Sequence, residues 1–256
     1  MTHKPDYTAG ELLAILSARL LKDGMVVFAG VGIPLLAATL AQRLHSPGLT
    51  ILFEGGVVGA FVEPGKLPPS TNDQRCTARA NMVLGSADVL LLLQRGYVDL
   101  GFMGGAQIDQ YGNLNSSIIG DAKKPTVRLP GTGGGNDIAS LAKMIVAMKH
   151  ERRRFVEKVD FITSPGWMHG NDTRRRSGLP FGGMFRVVTD LAVFGFDEKT
   201  RRMKPLALNL GVSREQVQEN TGFRLDFDSE VGVTEPPTDH ELSVLRILDP
   251  QRLYIG

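Results

Sequence analysis

The chain has 256 residues, 42% of them hydrophobic, and a formal net charge of +2. That is enough chain to bury one large α/β core, and a charge so near neutrality gives no argument by itself for nucleic acid. The single cysteine, Cys76, excludes an internal disulfide framework and fits a reducing, cytoplasmic compartment.

The opening "MTHKPDYTAGELL" lacks the basic start and apolar core of a signal peptide. "AGELLAILSARLLKDG", 9–24, has helical spacing and predicts a helix stopped at Gly24. "MVVFAGVG", 25–32, predicts a strand running into a glycine turn. "IPLLAATLAQRLHSPG", 33–48, predicts a helix with Pro34 in its first turn and a Pro-Gly stop. "LTILFE" follows as a buried strand. "DVLLLLQRGYVDLGFMGG" is interrupted by Gln94, Arg95 and Asp99, so it falls short of the roughly 18 apolar residues of a membrane span; its second half predicts a strand into Gly104 and Gly105. "PGTGGGNDIASLAKMIVAM", 130–148, predicts a glycine loop opening an amphipathic helix. "VDFITSPG", 159–166, predicts a strand, "FRVVTDLAVFGF", 185–196, a strand pair, and "DHELSVLRIL" a short helix near the end. This alternation predicts an α/β fold with a mainly parallel sheet flanked by helices, in a single domain over 1–256. Such sheets bind ligands beyond the carboxyl ends of their strands. Glu54 and the glycines at 104–105 and 131–135 are expected at such ends.

Glu54 has two readings. It is a strand-end carboxylate that caps a helix or pairs with an arginine, or it is a nucleophile or base whose approach Gly55 and Gly56 leave open. The loop at 131–135 is neither a Walker loop, lacking a following Lys-Ser/Thr, nor the spaced dinucleotide fingerprint, its glycines being contiguous. It can present N–H groups to an oxyanion, or be a plain loop-to-helix turn. Asn113 and Asn115, in "GGAQIDQYGNLNSS", read as turn chemistry. The basic runs "KHERRRFVEK" and "DTRRRSG" lack interleaved aromatics and are flanked by acidic residues; they read as solvated faces, with contact to an anionic ligand or a partner subunit as the alternative. The five histidines and Cys76 show no metal-ligand spacing, so no metal is expected, and there is no "GxSxG" elbow.

Together these motifs resemble class I coenzyme A-transferases. "FEGGVVGA" at 53–60 is similar to the family's catalytic strand, "GTGGGNDIASL" at 131–141 to its second glycine motif, and "DLGFMGGAQIDQYGNLNSSIIG" at 99–120 to the segment just before that motif. The stretch from 99 to about 195, with "GVSREQVQENTGFRLDF" at 211–227, resembles the beta subunit of the glutaconate CoA-transferase type. The resemblance implies a class I CoA-transferase fold and ping-pong transfer of CoA between an acyl-CoA and a carboxylic acid, with Glu54 as the nucleophile. It implies oxyanion or CoA contacts from Gly131, Gly133, Gly134 and Gly135, and an active-site wall of Gly55, Gly56, Gly104 and Gly105. It further implies no tightly bound cofactor, coenzyme A as substrate and covalent intermediate, and an alpha subunit as partner in a hetero-oligomer, with neither nucleic acid nor membrane involved. Gly55 stands where many relatives carry serine or asparagine, which bears on the balance between transfer and hydrolysis. Relatives that hydrolyse ring-cleaved CoA esters offer the alternative of a hydrolase on the same fold. A non-catalytic ligand-binding module is the alternative from another class.

Overall fold

The computed structural model describes residues 6–256; the first five residues of the opening segment lie outside it. The chain forms two compact units, Met1–Phe102 with Pro236–Gly256, and Met103–Glu235. Both are built from mixed α/β elements around parallel strand pairs.

The first unit starts with α1 (Ala9–Ala18). Thr8 and Glu11 form its capping box: the Thr8 hydroxyl accepts the Glu11 N–H at 3.1 Å and the Glu11 carboxylate accepts the Thr8 N–H at 2.8 Å. The helix stops at Ala18, short of the expected Gly24, which sits in a left-handed turn (φ +76°) just before β1 (Val26–Ala29). The following helix, α2 (Ile33–Leu44), carries Pro34 in its first turn. β2 (Thr50–Leu52) pairs in parallel with β1, Val27 opposite Ile51 and Phe28 opposite Leu52. β3 (Val57–Val58) and β4 (Met82–Val83) add antiparallel strands. After α3 (Ser86–Gln94), β5 (Leu100–Met103) pairs in parallel with the other side of β1. Val27, Phe28, Ile51, Leu52 and Phe102 are buried on these strands, and Phe53 just beyond β2, as continuous apolar runs require when both faces of a sheet are covered.

The second unit holds β6 (Gln107–Asp109), β7 (Leu114–Asn115) and the hairpin β8 (Ile118–Asp121)–β9 (Lys124–Arg128). The glycine loop follows this hairpin and opens α4 (Gly135–Leu141). It therefore does not lie at the end of a parallel strand, as the sequence pattern suggested. α4 is also shorter than expected: "KMIVA" forms β10 (Lys143–Ala147), whose Met144, Ile145 and Val146 are fully buried. A two-sided apolar environment favours the strand for such β-branched residues. β11 (Phe155–Val156) joins β6. Residues 159–166, expected as a strand, form an irregular segment with one bridge, Leu114 to Ser164; Pro165 and Gly166 interrupt any longer ladder. Beyond α5 (Thr173–Arg176), β12 (Gly183–Val188) runs parallel to β10. β13 (Ala192–Phe196) pairs back on β12, the hairpin expected at 185–196. β14 (Met203–Leu208), α6 (Arg214–Glu219) and β15 (Gly232–Val233) complete the unit.

The chain then returns to the first unit as α7 (Asp239–Leu248), capped by Thr238 and Glu241. α7 and α1 are tied by Arg19–Glu241 and Arg246–Glu11 ion pairs, each 2.7 Å. Burial would raise the Glu11 carboxyl's pKa, but the bonds from Arg246 and the Thr8 N–H outweigh it and hold the pKa below the usual carboxylate value.

Candidate active site

Glu54 lies in the loop between β2 and β3, directly after Phe53. The Gly56 N–H donates to the Phe53 carbonyl (3.0 Å) and the Phe53 N–H to the Val57 carbonyl (2.9 Å). With Gly56 at φ +101°, this is the three-residue hairpin in which a turn is followed by a left-handed residue. Glu54 is half-buried at the carboxyl end of a parallel strand, on a turn whose backbone is pinned at both ends.

Other chain segments press against the two glycines. A Cβ on Gly55 would lie 2.6 Å from the Asn72 side-chain oxygen and 2.7 Å from the Thr71 carbonyl, and one on Gly56 would collide with the Leu84 carbonyl. The Leu84 N–H donates to the Gly56 carbonyl at 2.9 Å. The glycines let 71–72 and 84–85 close over the turn that carries Glu54.

In the second unit the Gly135 N–H donates to the Thr132 carbonyl at 2.9 Å, closing a turn over Gly133 (φ +54°) and Gly134 (φ −75°, ψ 0°). These angles match the type II′ turn, whose first central position belongs to glycine. Gly133 is exposed and Gly135 buried. The Thr132 hydroxyl fills the place of a side chain on Gly135, and the Met103 methyl comes within 3.0 Å of it. Gly131 is left-handed (φ +89°) with open space at its Cβ position, and its N–H donates to the Ser116 carbonyl. Gly104 is exposed, and Gly105 packs on Leu114 with its carbonyl accepting from Arg154 at 3.4 Å.

A buried polar network underlies this loop. Asn115, fully buried, donates to Gln107 (2.8 Å) and to the Ile118 carbonyl (2.6 Å). The Thr163 hydroxyl accepts the Ser116 N–H at 2.9 Å and meets the Ser117 hydroxyl at 2.8 Å. Asn113 donates to both Asp109 oxygens and the Met168 carbonyl, and accepts the N–H groups of Gly166 and Met168. Asn113 and Asn115 therefore do more than turn chemistry: they carry long-range bonds to residues 163–168. Burial pushes the Asp109 carboxyl's pKa above its usual value, against the bonds from Asn113 and the Tyr111 and Asn113 N–H groups.

The basic runs divide. Arg152, Arg153, Arg175 and Arg176 are exposed, as expected, whereas Arg174 is 3% exposed and its guanidinium faces backbone carbonyls. Charge alone did not single it out, because its neighbours are chemically identical. His150 is buried against Phe155, rings stacked at 4.0 Å, and between the hydroxyls of Thr189 and Thr221; burial lowers its pKa to about 3. Cys76 is buried too, and burial raises its thiol pKa to about 11, which makes it an inert thiol. Among the described residues no cluster of three His, Cys, Asp or Glu is placed to hold a metal, and no helix is long and apolar enough to cross a membrane.

The model of the family described as Coenzyme A transferase matches residues 11–220, and the chain belongs to that family. It is 40% identical over 245 residues to one of the subunits of 3-oxoadipate CoA-transferase from Pseudomonas knackmussii, covering 95% of this chain and 94% of that one. It is 38% identical to glutaconate CoA-transferase of Acidaminococcus fermentans, whose crystal structure superposes with a TM-score of 0.92 over 98% of both chains. Similarity at 36% identity over 154 residues, 59% of this chain and 60% of the other, extends to the IpdB chain of a cholesterol ring-cleaving hydrolase from Rhodococcus jostii.

Proposed function

We propose that this chain is the beta-type subunit of a CoA-transferase of the glutaconate or 3-oxoadipate kind, with Glu54 as the covalent nucleophile. The observation that carries the reading is the half-buried Glu54 on a hairpin turn closed by the Gly56-to-Phe53 and Phe53-to-Val57 backbone bonds. The Glu54 carboxylate attacks the thioester carbonyl of an acyl-CoA, forming a mixed anhydride and expelling CoA thiolate. The thiolate attacks the glutamyl carbonyl, releasing the first acid and leaving a Glu54–CoA thioester. A second acid's carboxylate attacks that thioester, expelling the thiolate and forming a new anhydride. The thiolate then takes the new acyl group and frees Glu54. A carboxylate is ionised near pH 7, so the attack needs no general base. Each tetrahedral intermediate carries an oxyanion, which the turn at Gly133–Gly134 stabilises; the N–H groups of Gly131 and Gly135 hold the loop itself, bonded to the Ser116 and Thr132 carbonyls. Gly55, Gly56, Gly104 and Gly105 wall the site. Coenzyme A is substrate and covalent intermediate, and no other cofactor takes part.

The active enzyme in this proposal pairs the chain, acting as one functional domain, with an alpha subunit in the cytoplasm. The relatives are themselves named as subunits of their enzymes, and Met82, Val83, Leu91 and Tyr97 expose apolar side chains on the unit that carries Glu54. An anhydride needs shielding from water, which a second polypeptide supplies.

The assembled enzyme, incubated with acyl-CoA and then borohydride, is expected to lose activity with reduction of Glu54, since a thioester is reducible and a carboxylate is not. Full transferase activity in Glu54→Ala would sink the proposal. The similarity to a chain of a ring-cleaving hydrolase favours hydrolysis as the second reading. Turnover with steady thiol release when no acceptor acid is present would select it.

A further inference from the structure

The short helix behind the glycine loop is held at both ends by one segment of chain, and at one end the contact is made by a single buried cation. α4 runs straight from its C-terminus into β10, so no later turn can satisfy its last carbonyls. The Ile138 carbonyl takes the Ala142 N–H at 2.8 Å. The Ala139 and Ser140 carbonyls take Arg174 Nη2 at 2.7 and 3.0 Å. The same guanidinium donates to the carbonyls of Pro165 (3.0 Å), Gly166 (2.8 Å) and Phe181 (3.0 Å from Nε). A cation at a helix C-terminus also opposes the negative end of the helix dipole. Burial lowers the Arg174 pKa only to about 10, so it stays charged at neutral pH.

The other end of α4 meets the same segment. Asn136 Nδ2 donates to the Thr163 carbonyl at 2.8 Å, and the Thr132 and Ser164 hydroxyls meet at 3.3 Å. The segment is itself fixed: Thr163 N–H donates to the Leu114 carbonyl, Leu114 N–H to the Ser164 carbonyl, and Gly166 N–H to Asn113 Oδ1. Residues 163–166 thus act as a splint along α4, bonded directly at the loop end and through Arg174 at the far end. A rod of seven residues spans only about 10 Å, so a shift at its C-terminus reaches the turn at Gly133–Gly134 nearly undiminished.

We propose that Arg174 is the positioning residue of the glycine loop, holding it in register for the oxyanion by clamping the far end of α4 to residues 165–166. The catalytic half of this statement rests on the loop being the oxyanion site proposed above; the positioning half does not. A buried guanidinium that only filled space would be replaceable by an apolar chain. Its fork of donors, reaching carbonyls of α4, 165–166 and 181 at once, is what an apolar side chain cannot copy.

The test uses the assembled two-subunit enzyme with Arg174→Met, Arg174→Lys and, as a stability control, Val217→Ala in α6. Hydrogen exchange of the peptide spanning 130–141 is followed by mass spectrometry beside steady-state kinetics. Arg174→Met is expected to speed exchange at 133–138 about tenfold or more. It should lower kcat by up to about 100-fold, the cost of an ångström-scale misplacement, with KM for acyl-CoA within about twofold. Arg174→Lys, which keeps the charge but not the fork, should fall between, and it carries the test if the Met variant does not fold. Val217→Ala should leave both readouts at 130–141 unchanged. Unchanged exchange at 133–138 in the Arg174 variants, or the same rise in Val217→Ala, overturns the positioning role. Faster exchange with unaltered kcat supports the positioning role and instead overturns the oxyanion assignment of the loop.

Discussion

The Gly56 carbonyl accepts the Leu84 N–H at 2.9 Å, and the Leu84 carbonyl in turn occupies the place a side chain on residue 56 would need. The turn that presents Glu54 is thus sealed from behind by a backbone contact only glycine permits. Gly56→Ala should cost at least about 2 kcal/mol, from left-handed strain and the collision together. Gly24 is also left-handed, but nothing lies within 4 Å of its Cβ position, so Gly24→Ala should cost only about 1 kcal/mol. Urea unfolding of the two variants compares them. Equal losses would mean that the contact with Leu84 contributes nothing.

The glycine loop makes a second paired comparison. Gly133 stands at φ +54°, whereas Gly134 stands at φ −75°, ψ 0°, bridge-region angles that do not require glycine. Gly133→Ala is expected to lower the melting temperature, with about 1–2 kcal/mol of strain. Gly134→Val is expected to keep its circular dichroism spectrum and lose kcat, because in the proposed mechanism a branched side chain there obstructs the approach of the oxyanion to the loop. Near-normal kcat in folded Gly134→Val would reduce the loop to a simple turn.

His150 makes stability depend on pH in a direction that can be worked out. Its pKa is about 3 in the folded protein against a usual 6.5. Between these values the unfolded chain binds a proton that the folded one refuses. The contribution is therefore fully present above about pH 6.5 and is lost progressively as the pH falls toward 3, with a slope approaching about 1.4 kcal/mol per pH unit. His150→Gln keeps a hydrogen-bonding side chain without the titration. Its unfolding free energy, measured from pH 7.5 to 4.5, should fall less steeply than that of the native chain. Parallel profiles would contradict the assignment.

The chain's own pattern determined a good deal of this protein. Apolar runs such as Val26–Ala29 and Ile51–Phe53 specify buried strands because burial on both faces admits only such runs. Thr8 with Glu11 and Thr238 with Glu241 mark helix starts because a capping box needs only residues three apart. Glu54 followed by two glycines is legible as a turn bearing a carboxylate for the same local reason. Tertiary structure decided what depends on distant partners. "KMIVA" became a strand because β12 offers a ladder beside it; in isolation its residues suit a buried helix equally well. Gly55 and Gly56 were identifiable as turn residues, but their closeness to Thr71, Asn72 and Leu84 comes from chain that lies 16 to 28 positions away. Arg174 could not be separated from Arg175 and Arg176 by charge, spacing or propensity. What distinguishes it is that carbonyls from 139–140, 165–166 and 181 converge on its guanidinium, and only the folded chain brings those three segments together.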